Sequence, residues 1–164
     1  MPRIWFHQEF INTFESFGEF RVFIVAEPCV AGLRGRQGKI VCLARTKWSD
    51  VESDANEIYA SAAQQVHFEQ VAPLTEQDLR TFSLDVYEKL RARLDWMEHF
   101  ESLEIGVRLD IAISPAPEKS FFVSEITRFW FADFFSLDVL PRPCTSLCEA
   151  YAIATRDYFC TQHR

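Results

Sequence analysis

The sequence predicts an α+β fold, a mainly antiparallel sheet with flanking helices, and three observations carry that expectation. Two pairs of apolar, strand-like segments, Glu19–Ala26 with Lys39–Arg45 and Val107–Ile113 with Phe121–Ile126, each lie close together in the chain. The helical periodicities fall between and after these pairs, not inside them. No Pro-, Gly- or Ser-rich linker divides the 164 residues, so residues 1–164 are expected to form one domain.

Each element has its own local signal. Residues 4–11 are apolar and aromatic around Gln8 and Glu9, and read as a strand-like entry. In EFRVFIVA the alternation sets Glu19 and Arg21 on one face and Val22 and Ile24 on the other. Residues 27–38 hold one Pro and three Gly, a turn-rich connection too long for a tight hairpin. KIVCLAR follows as the partner strand. Residues 48–64, polar and then rich in Ala and Gln, suggest a short surface helix, and Val66–Val71 a short strand. Thr75 opens a long helix, with Asp78 completing a capping box. Leu79, Phe82, Val86, Leu90, Leu94 and Met97 form its apolar stripe, which ends near Phe100. Val107, Leu109, Ile111 and Ile113 then alternate with Arg108 and Asp110. SPAPEKS turns the chain, and FFVSEI returns it. The aromatic run RFWFADFFSL has no clear period. Ser146 and Glu149 suggest a second capping box, opening a helix that runs to about Phe159.

Bulk properties bound the function. A net charge of -7 argues against wrapping nucleic acid, whose phosphates demand a basic surface. The local basic residues Arg3, Arg34, Arg36, Lys39, Arg45 and Lys47 read either as a solvated hairpin tip or as an anion site. Five cysteines with no CxxC spacing read as buried, reduced thiols. No secretory leader and no run of roughly 18 apolar residues stands in the sequence, so a soluble, cytoplasmic protein without a membrane partner is expected. His7, His67, His99 and His163 lack metal-ligand spacing, and no GxSxG, GxxxxGK[ST] or GxGxxG occurs.

The residues that could do chemistry lie on the last hairpin. Asp110 falls near the middle of one strand and Glu125 at the end of its neighbour, so a hairpin can bring the two carboxylates together. A carboxylate in an apolar strand is costly unless something pairs with it. Arg108, on the same face as Asp110, could be that partner, and the pair would then be an ordinary surface ion pair with Glu125 solvated. The alternative is a hard cation, since magnesium takes one or two carboxylates together with phosphate oxygens.

GVRLDIAI, a short insertion and FFVSEI resemble the paired metal-binding strands of ATP-grasp enzymes. There an Asp on one strand and a Glu-x-Asn at the end of the next hold two magnesium ions on the ATP phosphates. Asp110 and Glu125 match the first two ligands, and Thr127 stands at the third, where the family has Asn. FHQEFI resembles the adenine hinge, which would place Gln8, Glu9 and Phe10 against the base. GEFRVFIV and GKIVCLAR are similar to the next two strands, whose Arg, matching Arg21, lies near the phosphates or the substrate. The likeness runs from about Trp5 to about Ser136. It implies a C-terminal ATP-grasp half, without the Gly-rich flap subdomain and its phosphate-gripping Lys, because the hinge-like segment begins within ten residues of Met1.

Two functions follow as expectations. In the first, the chain binds magnesium and ATP, and once completed by the other half it joins a carboxylate to an amine or similar nucleophile through an acyl phosphate. Asp110, Glu125 and Thr127 would then hold the metal, and Arg21 and Arg108 would neutralise phosphate. The isolated chain would be a poor catalyst, because half a clamp neither orients phosphate nor excludes water. In the second, the chain is a non-catalytic interaction protein that dimerises or binds a protein partner. Its 16 Phe, and especially Phe129, Trp130, Phe131, Phe134 and Phe135, motivate that reading.

Overall fold

The computed structural model describes residues 11–29, 36–47, 57–60, 73–93, 101–115, 120–129 and 141–162. The elements run α1 (Thr13–Phe17), β1 (Glu19–Pro28), β2 (Arg36–Lys47), β3 (Glu57–Ala60), α2 (Glu76–Arg91), a 3-10 turn (Glu101–Glu104), β4 (Gly106–Ile113), β5 (Phe121–Arg128) and α3 (Pro141–Gln162). The strands form one five-stranded sheet in the order β3-β2-β1-β4-β5. Every pairing in it is antiparallel, as the sequence predicts.

A central strand covered on both faces becomes apolar on both, and the middle of β1 shows this. On β1, Phe20, Val22 and Ile24 join a core with Leu79 and Tyr87 of α2 and with Val107, Leu109 and Ile111 of β4. Phe23 and Val25 point the other way, into a second core with Cys42, Leu147, Tyr151, Ala154 and Tyr158. The sheet therefore lies between α2 on one face and α3 on the other.

Each helix seats a tyrosine on a glycine. Tyr87 lies so close that a Cβ on Gly38 would stand 2.4 Å from its Cδ1, and Tyr151 would lie 2.5 Å from a Cβ on Gly106. The two phenols end on backbone carbonyls: Tyr87 donates to Leu103 O at 2.5 Å and Tyr151 to Val107 O at 3.3 Å. A buried hydroxyl needs such a partner, and each phenol has one.

The expected Thr75 capping box is present in full, with Thr75 accepting from Asp78 N and Asp78 accepting from Thr75 N. The hydrogen bonds from Thr75 hold the Asp78 carboxyl below its ordinary range. Helix α2 stops at Arg91, short of Phe100, with Ala92 at its C-cap. Its buried face is centred on Leu79, Ser83 and Tyr87. Ser83 turns its hydroxyl back onto Leu79 O at 2.6 Å, which lets a polar residue sit inside the stripe. Leu94 and Met97 lie outside the described residues, as do the strand expected at 66–71 and the entry segment up to residue 10.

Three expectations are corrected. Within 48–64, where a helix is expected, residues 57–60 form β3, held by pairing with Ala44–Lys47 of β2. The long edge of β2 offers backbone partners, and these outweigh a weak local preference. Ser146 and Glu149 do not open the last helix. Helix α3 starts at Pro141, five residues earlier, where prolines are tolerated because first-turn N–H groups have no intrahelical partner. Of the thiols expected to be buried, Cys42 is, with burial pushing it up to about 11, but Cys148 and Cys160 are exposed on the outer side of α3.

Candidate functional site

Helix α3 covers only part of its face of the sheet. Beyond the apolar patch of Phe23, Val25 and Tyr151 the same face turns polar, with Glu19 and Arg21 on β1, Arg108 and Asp110 on β4, and Glu125 and Thr127 on β5. Register brings them together. Asp110 stands opposite Arg21 on one side and opposite Glu125 on the other, and Arg108 stands opposite Thr127. The meeting of the two carboxylates expected from the sequence is thus a direct cross-strand pair.

The hairpin has a bulge between Asp110 and Ile111, where Ser124 of β5 is the residue without a register partner. A bulge lets two successive side chains turn to one face. Ser124 uses that freedom to donate to Glu19 Oε1 at 2.6 Å while reaching Asp110 O at 2.9 Å. It draws a third carboxylate, Glu19 from β1, towards the group.

Arg108 and Asp110 form a bidentate pair, Nε to Oδ1 and Nη2 to Oδ2, both at 2.7 Å. Arg108 Nη2 also reaches Thr127 Oγ1 at 3.0 Å, and that hydroxyl in turn donates to Glu125 Oε1 at 3.0 Å. The pair is not the surface contact that the sequence suggests, because Arg108 is 3% exposed and Asp110 1%. Both residues lie on β4, an inner strand flanked by β1 and β5. Arg21 Nε lies 4.0 Å from Glu19 Oε2, within ion-pair range, and has no hydrogen-bond acceptor among the described residues.

Burial raises the Asp110 carboxyl above its ordinary range, against the opposing pull of Arg108 and Arg21. Glu19 is raised as well, first by burial and then by the nearby charges of Asp110 and Glu125, against Ser124 and Arg21. Three carboxylates and two guanidiniums thus act on one another across three strands. A cation placed among them would relieve both the burial and the mutual repulsion of the acids.

Among the described residues no group of three or more His, Cys, Asp or Glu side chains could hold a metal ion. Glu125 is exposed, with one oxygen taken by Thr127. Asp110, although clasped by Arg108, keeps further lone pairs, since a carboxylate has about four acceptor sites. One or two carboxylates, with the remaining positions left to phosphate and water, is the set that magnesium takes.

The structure brings Arg21, Arg108, Asp110, Glu125 and Thr127 into one cluster. Gln8, Glu9 and Phe10 lie outside the described residues. Sequence reasoning missed Glu19 and Ser124 as members. Glu19 was legible as sharing a face with Arg21, but nothing in the pattern FFVSEI announces the bulge. Phe129, expected on an open aromatic surface, packs inward instead, 5.3 Å from the Tyr151 ring centre. Trp130, Phe131, Phe134 and Phe135 lie outside the described residues. No helix among the described residues is long and apolar enough to cross a membrane. Comparison with known protein families, curated proteins and solved structures finds no match.

Proposed function

We propose that the polar end of this sheet face binds a magnesium nucleotide, with ATP as the nucleotide that the ATP-grasp resemblance implies. The observation that supports the reading is the direct opposition of Asp110 and Glu125 across β4 and β5, with Arg21 facing Asp110 from β1. Asp110 and Glu125 would hold the metal. Thr127, linked to both Arg108 and Glu125, would orient the Glu125 carboxylate and offer its remaining lone pair. Arg21 and Arg108 would balance phosphate charge, which guanidinium groups match in shape as well as sign. Gln8, Glu9 and Phe10 would meet the adenine. Bound magnesium would supply charge neutralisation of the phosphates.

Completed by a flap-bearing half, such a site would serve ATP-dependent activation of a carboxylate for attack by an amine or similar nucleophile. By itself the chain would bind weakly and turn over poorly.

Titration calorimetry with magnesium–ATP tests the proposal. Glu125→Gln is the variant of choice, because Glu125 is exposed and its loss leaves the buried Arg108–Asp110 pair in place. Weak, magnesium-dependent binding by the wild type, lost in Glu125→Gln, is expected. Binding that survives Glu125→Gln, or that needs no magnesium, would sink the proposal.

A further inference from the structure

The nucleotide reading leaves the outer side of α3 unused. Along this 22-residue helix, Leu147, Tyr151, Ala154 and Tyr158 face the sheet and are buried. The opposite side is exposed, and it carries two large apolar side chains in the open, Ile153 at 52% and Phe159 at 51%. The same exposed side carries Glu149, Ala152 and Arg156. Glu149 and Arg156 are seven positions apart, two turns and about 10 Å along one line of the helix. Ala152 lies midway, and a small residue there lets a second backbone come close.

From this pattern we infer that α3 is self-complementary and joins two copies of the chain, helix against helix, in antiparallel orientation. A two-fold axis beside Ala152 and Ile153 sets Ala152 against Ile153 of the second copy. The same axis sets Glu149 against Arg156 of the second copy, and Ser146 against its Phe159. By symmetry each of these contacts occurs twice, as an isologous interface requires. One axis position thus satisfies two reciprocal charge pairs and removes both open apolar side chains from water. Arg156 is 67% exposed, and it gives Nε and Nη2 to one oxygen of Asp157 on its own helix. A guanidinium has five N–H donors, so capacity remains for a carboxylate opposite. A parallel arrangement would set Glu149 against Glu149 and lose both pairs. The contact is a single helix pair, at the small end of specific interfaces, so the dimer should dissociate on dilution.

Sedimentation equilibrium of the full chain, run over a wide concentration range under reductant so that Cys148 and Cys160 stay reduced, tests the inference. A reversible monomer–dimer equilibrium is expected. Glu149→Arg and Arg156→Glu should each weaken it at least tenfold, by setting like charges together. The double variant Glu149→Arg/Arg156→Glu should recover wild-type association, because both reciprocal pairs return in reversed order. All three variants should keep the wild-type circular dichroism, since both side chains are exposed. A chain that stays monomeric throughout, a dimer indifferent to the single changes, or a double variant no stronger than the singles would each overturn the inference.

Discussion

Arg108 is the residue whose removal reports most directly on how the polar cluster is held. Its guanidinium is 3% exposed and clasps an Asp110 that is 1% exposed. An exposed pair contributes about 0–1 kcal/mol. Breaking a buried pair by deleting one partner is different, because the survivor keeps its charge without compensation, at about 3–5 kcal/mol. Arg108→Met keeps much of the side-chain volume and removes the charge, so a loss of about 3–5 kcal/mol is expected at neutral pH. The loss must depend on pH in a definite sense. Asp110 is already raised by burial, and Arg108 is the foremost influence opposing the rise. Without Arg108 the folded-state value climbs further above the unfolded one. An acid raised in the folded state binds protons more tightly there, so stability falls as pH rises from the ordinary aspartate range to the raised value. Below that window Asp110 is protonated in both states and most of the loss disappears. Urea denaturation followed by circular dichroism at a series of pH values measures this. Arg108→Met/Asp110→Leu, which leaves no charge behind, should recover most of the neutral-pH loss. A penalty under about 1 kcal/mol at neutral pH, one that does not change with pH, or a double variant as unstable as the single would refute the reasoning.

Gly106→Ala should destabilise by about 1–3 kcal/mol or more, because the added Cβ meets both a strand carbonyl and a seated ring. It would stand 2.5 Å from Ile24 O and 2.5 Å from Tyr151 Cε1, and a backbone atom inside the sheet has nowhere to go. The same denaturation assay reads it, and a near-neutral result would mean that Tyr151 does not sit on that strand. For Glu19, raised chiefly by burial, the sign is that worked for Asp110. Glu19→Gln should therefore gain in Tm relative to wild type as pH rises past the ordinary glutamate range, with no such gain in acid. Thermal melts across that range check it, and a gap constant with pH would count against a half-buried, repelled Glu19.

The two strand pairs, the cap at Thr75 and the faces of β1 were legible because each rests on local period or local hydrogen bonding. Glu19 and Arg21 could be set opposite Val22 and Ile24 from alternation alone. The partner of Asp110 was legible too, since Arg108 shares its face two residues away. The burial of that pair was not legible, because it depends on β4 lying inside the sheet between β1 and β5. That order is a tertiary fact with no local signature. Strand β3 was misread for the same reason, as its pairing with β2 decides the backbone. The start of α3 was missed through the attraction of Ser146 and Glu149, which look like a cap but lie on the exposed side of a helix already under way. Ser124 was invisible because alternation assumes an unbroken ladder.

That break in the ladder has a consequence for how this chain can change length over time. On β5, Val123 points to one side of the sheet and Glu125 to the other, with Ser124 inserted between them and matched by nothing on β4. Loss of a residue further along the strand, such as Phe122 or Ile126, would instead turn side chains next to it to the wrong face. Loss of Ser124 alone leaves every remaining side chain where it was. The strand can thus shed one residue without refolding, and what it forfeits is the tether that draws Glu19 towards its neighbours.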